Sequence, residues 1–269
     1  MLVVVIVINV IVNNSNNITS DVSSPTKSTQ DDSYNTTPTT TPTTTTSSEI
    51  ETTAQKEVTN SYIIQNVNNL NQNAYPAGCE SVSTTMLLNY LGFDITTDEF
   101  INNFLPVVEL SVGENGSIVG PSPASVFIGS PYSESGLGCF PPVIEYSVNN
   151  YLKTQNSSKK AYDITGTTLD EIIKKYIIHD IPVLIWPTMY MSDTYNTTQW
   201  TLEGEKVYSN YKDGDLFYWP ANEHCLVLTG YDENYYYCND PLYDEQIKYD
   251  KSIFEQRYEE MGKFSIVIK

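Results

Sequence analysis

Apolar and polar residues are distributed very unevenly along this chain. Residues 2–12 read LVVVIVINVIV, an apolar run of 11 residues that contains a single asparagine. This run is too short to span a bilayer, which takes about 20 residues, but its length is typical of the core of a signal peptide. We expect residues 1–12 to be a signal peptide or an anchor remnant. The protein would then be extracellular or tethered to the cell surface.

The next stretch, 13–60, is almost free of apolar side chains and includes TTPTTTPTTTTSS at 36–48. Thr/Pro/Ser tracts of this kind cannot bury enough apolar surface to offset the loss of chain entropy on folding. We therefore predict a disordered linker rich in Thr, Pro, Ser and Asn over 13–60.

Residues 61–269 have the patterning of a folded domain, with helices first and strands after. Helical spacing of apolar positions predicts a helix over 79–91, and Thr96 or Thr97 can cap a second. The pair Pro141–Pro142 begins a third, and a fourth is expected over 169–179. Runs of strand length follow at 181–186, 225–231, 235–238 and 264–269. The order predicts an α+β fold with helices packed on an antiparallel sheet.

The net charge of the chain narrows the classes of molecule that it can bind. The chain has 33 acidic and 14 basic residues and a net charge of −19. Residues 1–57 hold six acidic and two basic side chains, so −15 falls on the remainder. Such a surface repels phosphate backbones and anionic membranes, which disfavours nucleic-acid and membrane binding. It favours a cationic or neutral peptide as the substrate, and we expect a monomer.

Imidazole chemistry is restricted to two histidines, His179 and His224. His179 ends the fourth predicted helix, where a cation caps the helix dipole. His224 precedes an apolar strand, and Asp240 follows 16 residues later. If the two strands pair about residue 232, facing residues sum to 464 and His224 lies opposite Asp240. The carboxylate would orient the imidazole as a base, although a purely structural histidine is the alternative.

Cys79 is the candidate nucleophile. The turn residues Pro76 and Gly78 precede it, so it begins the first predicted helix, where the dipole is expected to lower the pKa of the thiol. Gln72 could donate an amide N–H to an oxyanion. A small buried hydrophobe is the alternative for Cys79.

The other cysteines fit a structural role better than a metal site. The expected register places Cys225 and Cys238 on opposite faces of the sheet, so they should not pair with each other. A bridge from Cys139 to either of them stays open. The sequence has no C-x-x-C pair and its two histidines are far apart, so we expect no metal and no cofactor.

The segment NQNAYPAGCESVSTTMLLNYLG at 71–92 resembles the opening of papain-like cysteine peptidases related to family thirty-nine, the double-glycine leader peptidases. Similar segments follow at 127–152, 181–189 and 219–244, so the resemblance covers most of 61–269. It implies a papain-like fold with Cys79 as nucleophile, His224 as general base, Asp240 as orienting carboxylate and Gln72 as oxyanion donor. The chain departs from the leader peptidases in Glu80, where they have Gly, and in placing Gln72 seven rather than six positions before the cysteine.

These observations lead to one hypothesis and two alternatives. The first is an exported cysteine peptidase that hydrolyses a peptide amide bond through a Cys-His-Asp triad. The second keeps the triad but acts on a cell-wall peptide or an isopeptide bond. The third is a non-catalytic surface binding module for a cationic or glycan partner.

Overall fold

The computed structural model describes residues 57–204 and 211–269. All of these residues belong to one unit that spans 53–269. The expectations for residues 1–12 and for nearly all of the 13–60 linker concern positions outside the described residues. In the part of the chain that is described, no helix has the length and apolar character needed to cross a membrane.

The described chain forms five α-helices, the first three of which lie before residue 155. Two of them, α2 and α4, begin with a capping box in which a threonine side chain and a glutamate three residues later satisfy each other's backbone N–H groups. The helices are α1 (Cys79–Tyr90), α2 (Thr97–Phe104), α3 (Pro141–Thr154), α4 (Leu169–Lys175) and α5 (Lys251–Glu260).

Thirteen short strands are described. They are β1 (Tyr62–Ile63), β2 (Val107–Val108), β3 (Ser111–Val112), β4 (Ile118–Gly120), β5 (Phe127–Ile128), β6 (Ala161–Asp163), β7 (Val183–Ile185), β8 (Asn196–Leu202), β9 (Leu216–Pro220), β10 (Leu226–Tyr231), β11 (Tyr235–Asn239), β12 (Ile247–Asp250) and β13 (Ser265–Ile268). The main sheet has seven strands in the order β12-β11-β10-β7-β13-β6, with β1 also pairing with β10. All its pairings are antiparallel.

Helices cover both faces of the main sheet. Alternate residues of β7 point to opposite faces: Leu184 packs with α1, α2 and α3, whereas Val183 and Ile185 pack with α4 and α5. A third cluster, rich in aromatic residues, lies under the four-stranded sheet β3-β4-β8-β9. This arrangement confirms the predicted α+β class with N-terminal helices packed on an antiparallel sheet.

The fourth helix is shorter than predicted. It ends at Lys175 because Tyr176 leaves the helical region, with φ −130° and ψ −59°. A separate 3₁₀ turn, Ile177–His179, follows, and Asp180 at φ 60° turns the chain into β7. His179 is exposed at the end of this turn.

The predicted register of β10 and β11 is wrong by three residues next to the turn and by two residues beyond the bulge. Val227 pairs with Asn239 and Leu228 with Cys238, and a bulge at Thr229 shifts the rest of the ladder. The cause is the tip of the hairpin, which the Asp232 carboxylate closes by accepting hydrogen bonds from the Asn234 and Tyr235 N–H groups.

The predicted sheet face of Cys238 is still correct, because a shift of two residues leaves each side chain on the same face of the sheet. Cys225 packs with α1 on one face of the sheet, and Cys238 packs on the face that α5 covers. All four cysteines of the chain are buried free thiols, so the bridge from Cys139 that the sequence left open is not formed.

Candidate active site

The first turn of α1 holds Cys79 against the start of β10. Gly78 precedes the helix because a Cβ there would lie 2.6 Å from the Cβ of Tyr75 in the turn. Along the helix, the Ser83 hydroxyl donates to the carbonyl of Cys225 at 3.0 Å. Because every residue from Cys79 to Leu88 is buried, the helix is fixed on all sides. The cysteine side chain itself is 6% exposed.

His224 and Asp240 are brought together at the ends of β10 and β11. The Nε2 of His224 lies 2.8 Å from Oδ1 of Asp240, and both side chains are buried. Asp240 also accepts from the Leu242 N–H at 2.8 Å and from the Tyr249 hydroxyl at 2.5 Å. A carboxylate with these donors is an acceptor, so Nε2 carries the imidazole proton and Nδ1 keeps its lone pair.

The charge state of Asp240 supports this assignment. Burial raises the pKa of the carboxyl, but the neighbouring imidazole and the hydrogen bonds from His224, Tyr249 and Leu242 outweigh it, so the net pKa lies below its ordinary value. Asp240 is therefore ionised at neutral pH and can stabilise an imidazolium form of His224.

The sulfur of Cys79 lies beside the same stretch of backbone. It accepts a hydrogen bond from the main chain of Cys225, the residue that follows His224. Its S–H, however, donates to Oε2 of Glu80 at 3.2 Å. The structure thus brings Cys79 to the segment that carries His224, while the hydrogen bond of the thiol goes to a carboxylate.

Gln72 lies between the two halves of the site. Its backbone N–H donates to the carbonyl of Pro241 at 2.8 Å, next to Asp240. Its side-chain Nε2 donates to the carbonyl of Pro76 at 3.2 Å, in the turn before α1. The amide Oε1 is buried and has no hydrogen-bond partner in the described part of the chain. One N–H of this amide is occupied, and the oxyanion role of Gln72 stays a prediction.

Two glutamates next to the candidate residues were missed by the sequence reasoning. Glu80 follows Cys79, and Glu223 precedes His224. Glu80 is fully buried, and its Oε1 accepts from the Cys139 N–H at 2.6 Å. Glu223 is 6% exposed, and its Oε1 has no described hydrogen-bond partner. A signal was available: each is an acidic residue in a stretch that otherwise reads as buried.

The pKa values of this cluster are all raised. Burial raises the pKa of Glu80 to about 7, against the lowering effect of its hydrogen bonds with Cys139 and Cys79. Burial and the charge of Glu80 raise the pKa of Glu223 well above its ordinary value. Burial, Glu80 and Glu223 also raise the pKa of the Cys79 thiol. The expectation that the helix N-terminus would lower the pKa of Cys79 is therefore wrong for this structure, because burial beside two carboxyls outweighs the dipole.

Cys79, Glu80 and Glu223 are also the described residues whose potential ligand atoms cluster within 4.8 Å of one another. Both oxygens of Glu80 already accept hydrogen bonds, from the Cys139 N–H and the Cys79 thiol. We therefore treat the three as a hydrogen-bonded acid cluster. The expectation from sequence that no metal is needed stays a prediction.

Comparisons with known proteins agree with this fold. The model of the Peptidase_C39 like family matches residues 64–266. The uncharacterised protein YvpB of Bacillus subtilis (strain 168) is 28% identical over 193 residues, which cover 71% of this chain and 69% of YvpB. A Bacillus anthracis protein, whose crystal structure was described as that of a C39-like peptidase, shares 28% identity and a TM-score of 0.64. That alignment covers 78% of this chain and 97% of the other.

Proposed function

Because the chain belongs to the Peptidase_C39 like family, we propose that it is a cysteine peptidase that hydrolyses a peptide amide bond with Cys79, His224 and Asp240. The observation that carries the proposal is the buried His224–Asp240 pair, 2.8 Å apart, beside a cysteine at the N-terminus of a helix. A buried imidazole held by an ionised carboxylate through one nitrogen has the other nitrogen ready to accept a proton.

The proposed reaction uses these groups in the following way. His224 Nδ1 takes the proton of the Cys79 thiol, and the sulfur attacks the carbonyl carbon of the substrate amide. As the C–S bond forms, the carbonyl oxygen becomes an oxyanion, which Gln72 and a backbone N–H near Cys79 stabilise. The C–N bond then breaks, and the imidazolium returns its proton to the leaving amine. Water, deprotonated by His224, hydrolyses the thioester and restores the thiol.

A cavity near the end of β7 suits an apolar side chain of the substrate. It has a volume of about 430 Å³ and is lined in part by Phe140, Phe217 and Phe264. Strand β7 lies between β10 and β13, and its last residue, Ile185, pairs with the first residue of each. Phe264 directly precedes β13. Two strand spacings of about 4.8 Å put the backbone at Phe264, which lines the cavity, roughly 10 Å from the start of β10. An extended peptide would bridge this distance with about three residues.

Digestion of a peptide library of mixed sequence, followed by mass spectrometry, tests the proposal. We expect cleavage by the wild type, with an apolar residue enriched at one position a few residues from the cut. Cys79→Ser and His224→Gln should each remove cleavage. The matched control is Cys238→Ala, which removes a thiol from the opposite face of the sheet and should leave cleavage unchanged. Cleavage that survives Cys79→Ser, or a wild type that cuts nothing in the library, would contradict the proposal and favour a binding module.

We propose in addition that the protein acts outside the cell, free or tethered to its surface. Support comes from the apolar run at 2–12 and the Thr/Pro tract at 36–48, which are typical of an export signal and a stalk. Fractionation of cells that express the full chain tests this: we expect the protein at the surface or in the medium, and a protein found only in the cytosol would contradict it.

A further inference from the structure

The two buried glutamates of the site belong to different elements and meet over one glycine. A Cβ on Gly138 would lie 2.6 Å from Oε1 of Glu80 and 3.1 Å from Oε2 of Glu223. Gly138 also has φ +152°, which disfavours any other residue. The backbone of Gly138 and Cys139 therefore closes over both carboxyl groups and holds them near each other beside the sulfur of Cys79.

No described lysine or arginine pairs with either glutamate, and the nearby His224 lowers the pKa of Glu80 by less than burial raises it. None of the ion pairs in the described ranges 57–204 and 211–269 includes Glu80 or Glu223. Two carboxylates cannot both stay ionised without a counterion when they are buried at this separation. A proton removes this cost, and we assign it to Glu223, because both oxygens of Glu80 accept hydrogen bonds, from the Cys139 N–H and the Cys79 thiol, whereas Oε1 of Glu223 has no described partner.

We propose that Glu80 and Glu223 form a buried pair that holds one proton on Glu223 and keeps Cys79 as a neutral thiol in the resting protein. Glu80, as the charged member, accepts the hydrogen bond of the thiol. This inference rests on the proposed function, since it assigns a protonation state to the proposed nucleophile. Glu80 contacts the reacting sulfur directly, whereas Glu223 is a positioning residue that acts through Glu80.

Each element packed around the sulfur contributes to this state. Glu80 comes from α1, the thiol of Cys139 from the loop before α3, and Glu223, His224 and Cys225 from the segment before β10. Asp240, at the end of β11, is bound to His224 and adds a further negative charge. Within this set, His224 is the one group that becomes a cation when it takes up a proton, and we assign it as the acceptor of the thiol proton during attack.

The proton transfer moves the thiol proton within the site without loss, and it produces a stronger nucleophile. When the S–C bond forms, the S–H proton moves to Nδ1 of His224, Glu80 loses its hydrogen bond from sulfur, and Glu80 keeps the one from Cys139. A thiolate formed beside a carboxylate is a stronger nucleophile than one with a depressed pKa, because nucleophilicity rises with thiol pKa. The neutral thiol is also protected from oxidation between turnovers, because oxidants react with the thiolate rather than with the thiol.

Alkylation of Cys79 by iodoacetamide as a function of pH, resolved by peptide mass spectrometry, measures the state of the thiol without any peptide substrate. All samples contain EDTA, and a parallel wild-type series omits it. We expect the wild-type Cys79 to titrate above the free-thiol value of about 8.5. Glu80→Gln removes the charge and should raise the alkylation rate at pH 8, where Glu80 is ionised, by about tenfold, or one pKa unit.

Glu223→Gln is the discriminating variant, because the amide mimics the neutral acid. We expect its alkylation rate at pH 8 to stay within about twofold of the wild type, as should that of Glu233→Gln, an exposed control. An unchanged or lower rate in Glu80→Gln, a large rise in Glu223→Gln, or a wild-type rate that depends on EDTA overturns the proposal.

A second measurement protects the test if Glu80→Gln does not fold. Carboxyl ¹³C NMR of the wild type should show one glutamate that titrates near pH 7 and one that stays protonated beyond it. If every glutamate titrates near 4.5, its ordinary value, the pair does not exist. The proposed function fails separately, through the absence of peptide cleavage, and that result leaves the alkylation and NMR outcomes unaffected.

Discussion

Glu80 should make the folding stability of this protein depend on pH in an unusual direction. Its pKa is raised from 4.5 to about 7 in the folded state. Between these values the folded protein binds more protons than the unfolded chain, so the free energy of unfolding falls as the pH rises. The shift of about 2.5 units corresponds to about 3 kcal/mol, lost progressively between about pH 4.5 and pH 7. Glu223, with its pKa raised further, extends the loss to higher pH.

Glu80→Gln isolates this contribution, because an amide has no charge to desolvate. We expect the difference in unfolding free energy, variant minus wild type, to rise by about 3 kcal/mol from pH 4.5 to pH 8. Urea unfolding can be followed through the three buried tryptophans, Trp186, Trp200 and Trp219. Groups with depressed pKa values, such as Asp240, contribute equally to both proteins and cancel in the difference.

The control for this series is Glu233→Gln, which changes an exposed glutamate in the β10–β11 turn. Its stability should follow the wild type at every pH. If Glu80→Gln and the wild type also give parallel curves from pH 4.5 to pH 8, Glu80 has an ordinary pKa and the reasoning about the buried acid pair is refuted.

Three further substitutions test other contacts of the site. Asp240→Ala leaves the buried Nε2–H of His224 without an acceptor, so it should lower the free energy of unfolding by about 1–3 kcal/mol and remove peptidase activity. Asp240→Asn should restore most of the stability, and equal losses in the two variants would contradict the role of the hydrogen bond. Tyr249→Phe removes a donor to Asp240 and should cost about 1–2 kcal/mol in urea unfolding, with no loss if that hydrogen bond is absent. Gly138→Ala should destabilise by about 1–3 kcal/mol more than Gly92→Ala, because both positions have positive φ but the Cβ meets Glu80 only at Gly138.

The sequence predicts the parts of this fold that depend on local patterning. The starts of α1, α2 and α3 follow from Gly78, the Thr96 capping box and the Pro141–Pro142 pair. The strands β7, β10, β11 and β13 follow from their β-branched and aromatic runs. In each case the signal lies within a few residues of the element that it specifies, so no long-range contact is needed to read it.

Features that depend on distant contacts were not predictable in the same way. The register of β10 with β11 was missed because the Asp232 turn and the Thr229 bulge set it, rather than the hydrophobic alternation. The helix α5, with a largely charged sequence, is fixed by Phe254 and Tyr258 packing on the far side of the sheet.

The site shows the same division. His224 and Asp240 were paired through an incorrect register, yet they meet because both lie just outside the strand ends, where side chains can turn towards each other. The Glu80–Glu223 pair joins residues 143 positions apart through a turn at Gly138, and no sequence period reports such a contact. The pKa of Cys79 depends on that pair, so the helix dipole alone gave the wrong direction.

The most direct test of the central claim is to locate the residue that reacts with a peptide electrophile. Wild-type protein is incubated with a peptidyl acyloxymethyl ketone carrying an apolar residue, and the adduct is mapped by mass spectrometry. We predict one adduct, on Cys79, that is absent in Cys79→Ser, strongly reduced in His224→Gln and unchanged in Cys238→Ala. An adduct on another residue, or one on Cys79 that forms equally well without the His224 imidazole, would contradict it.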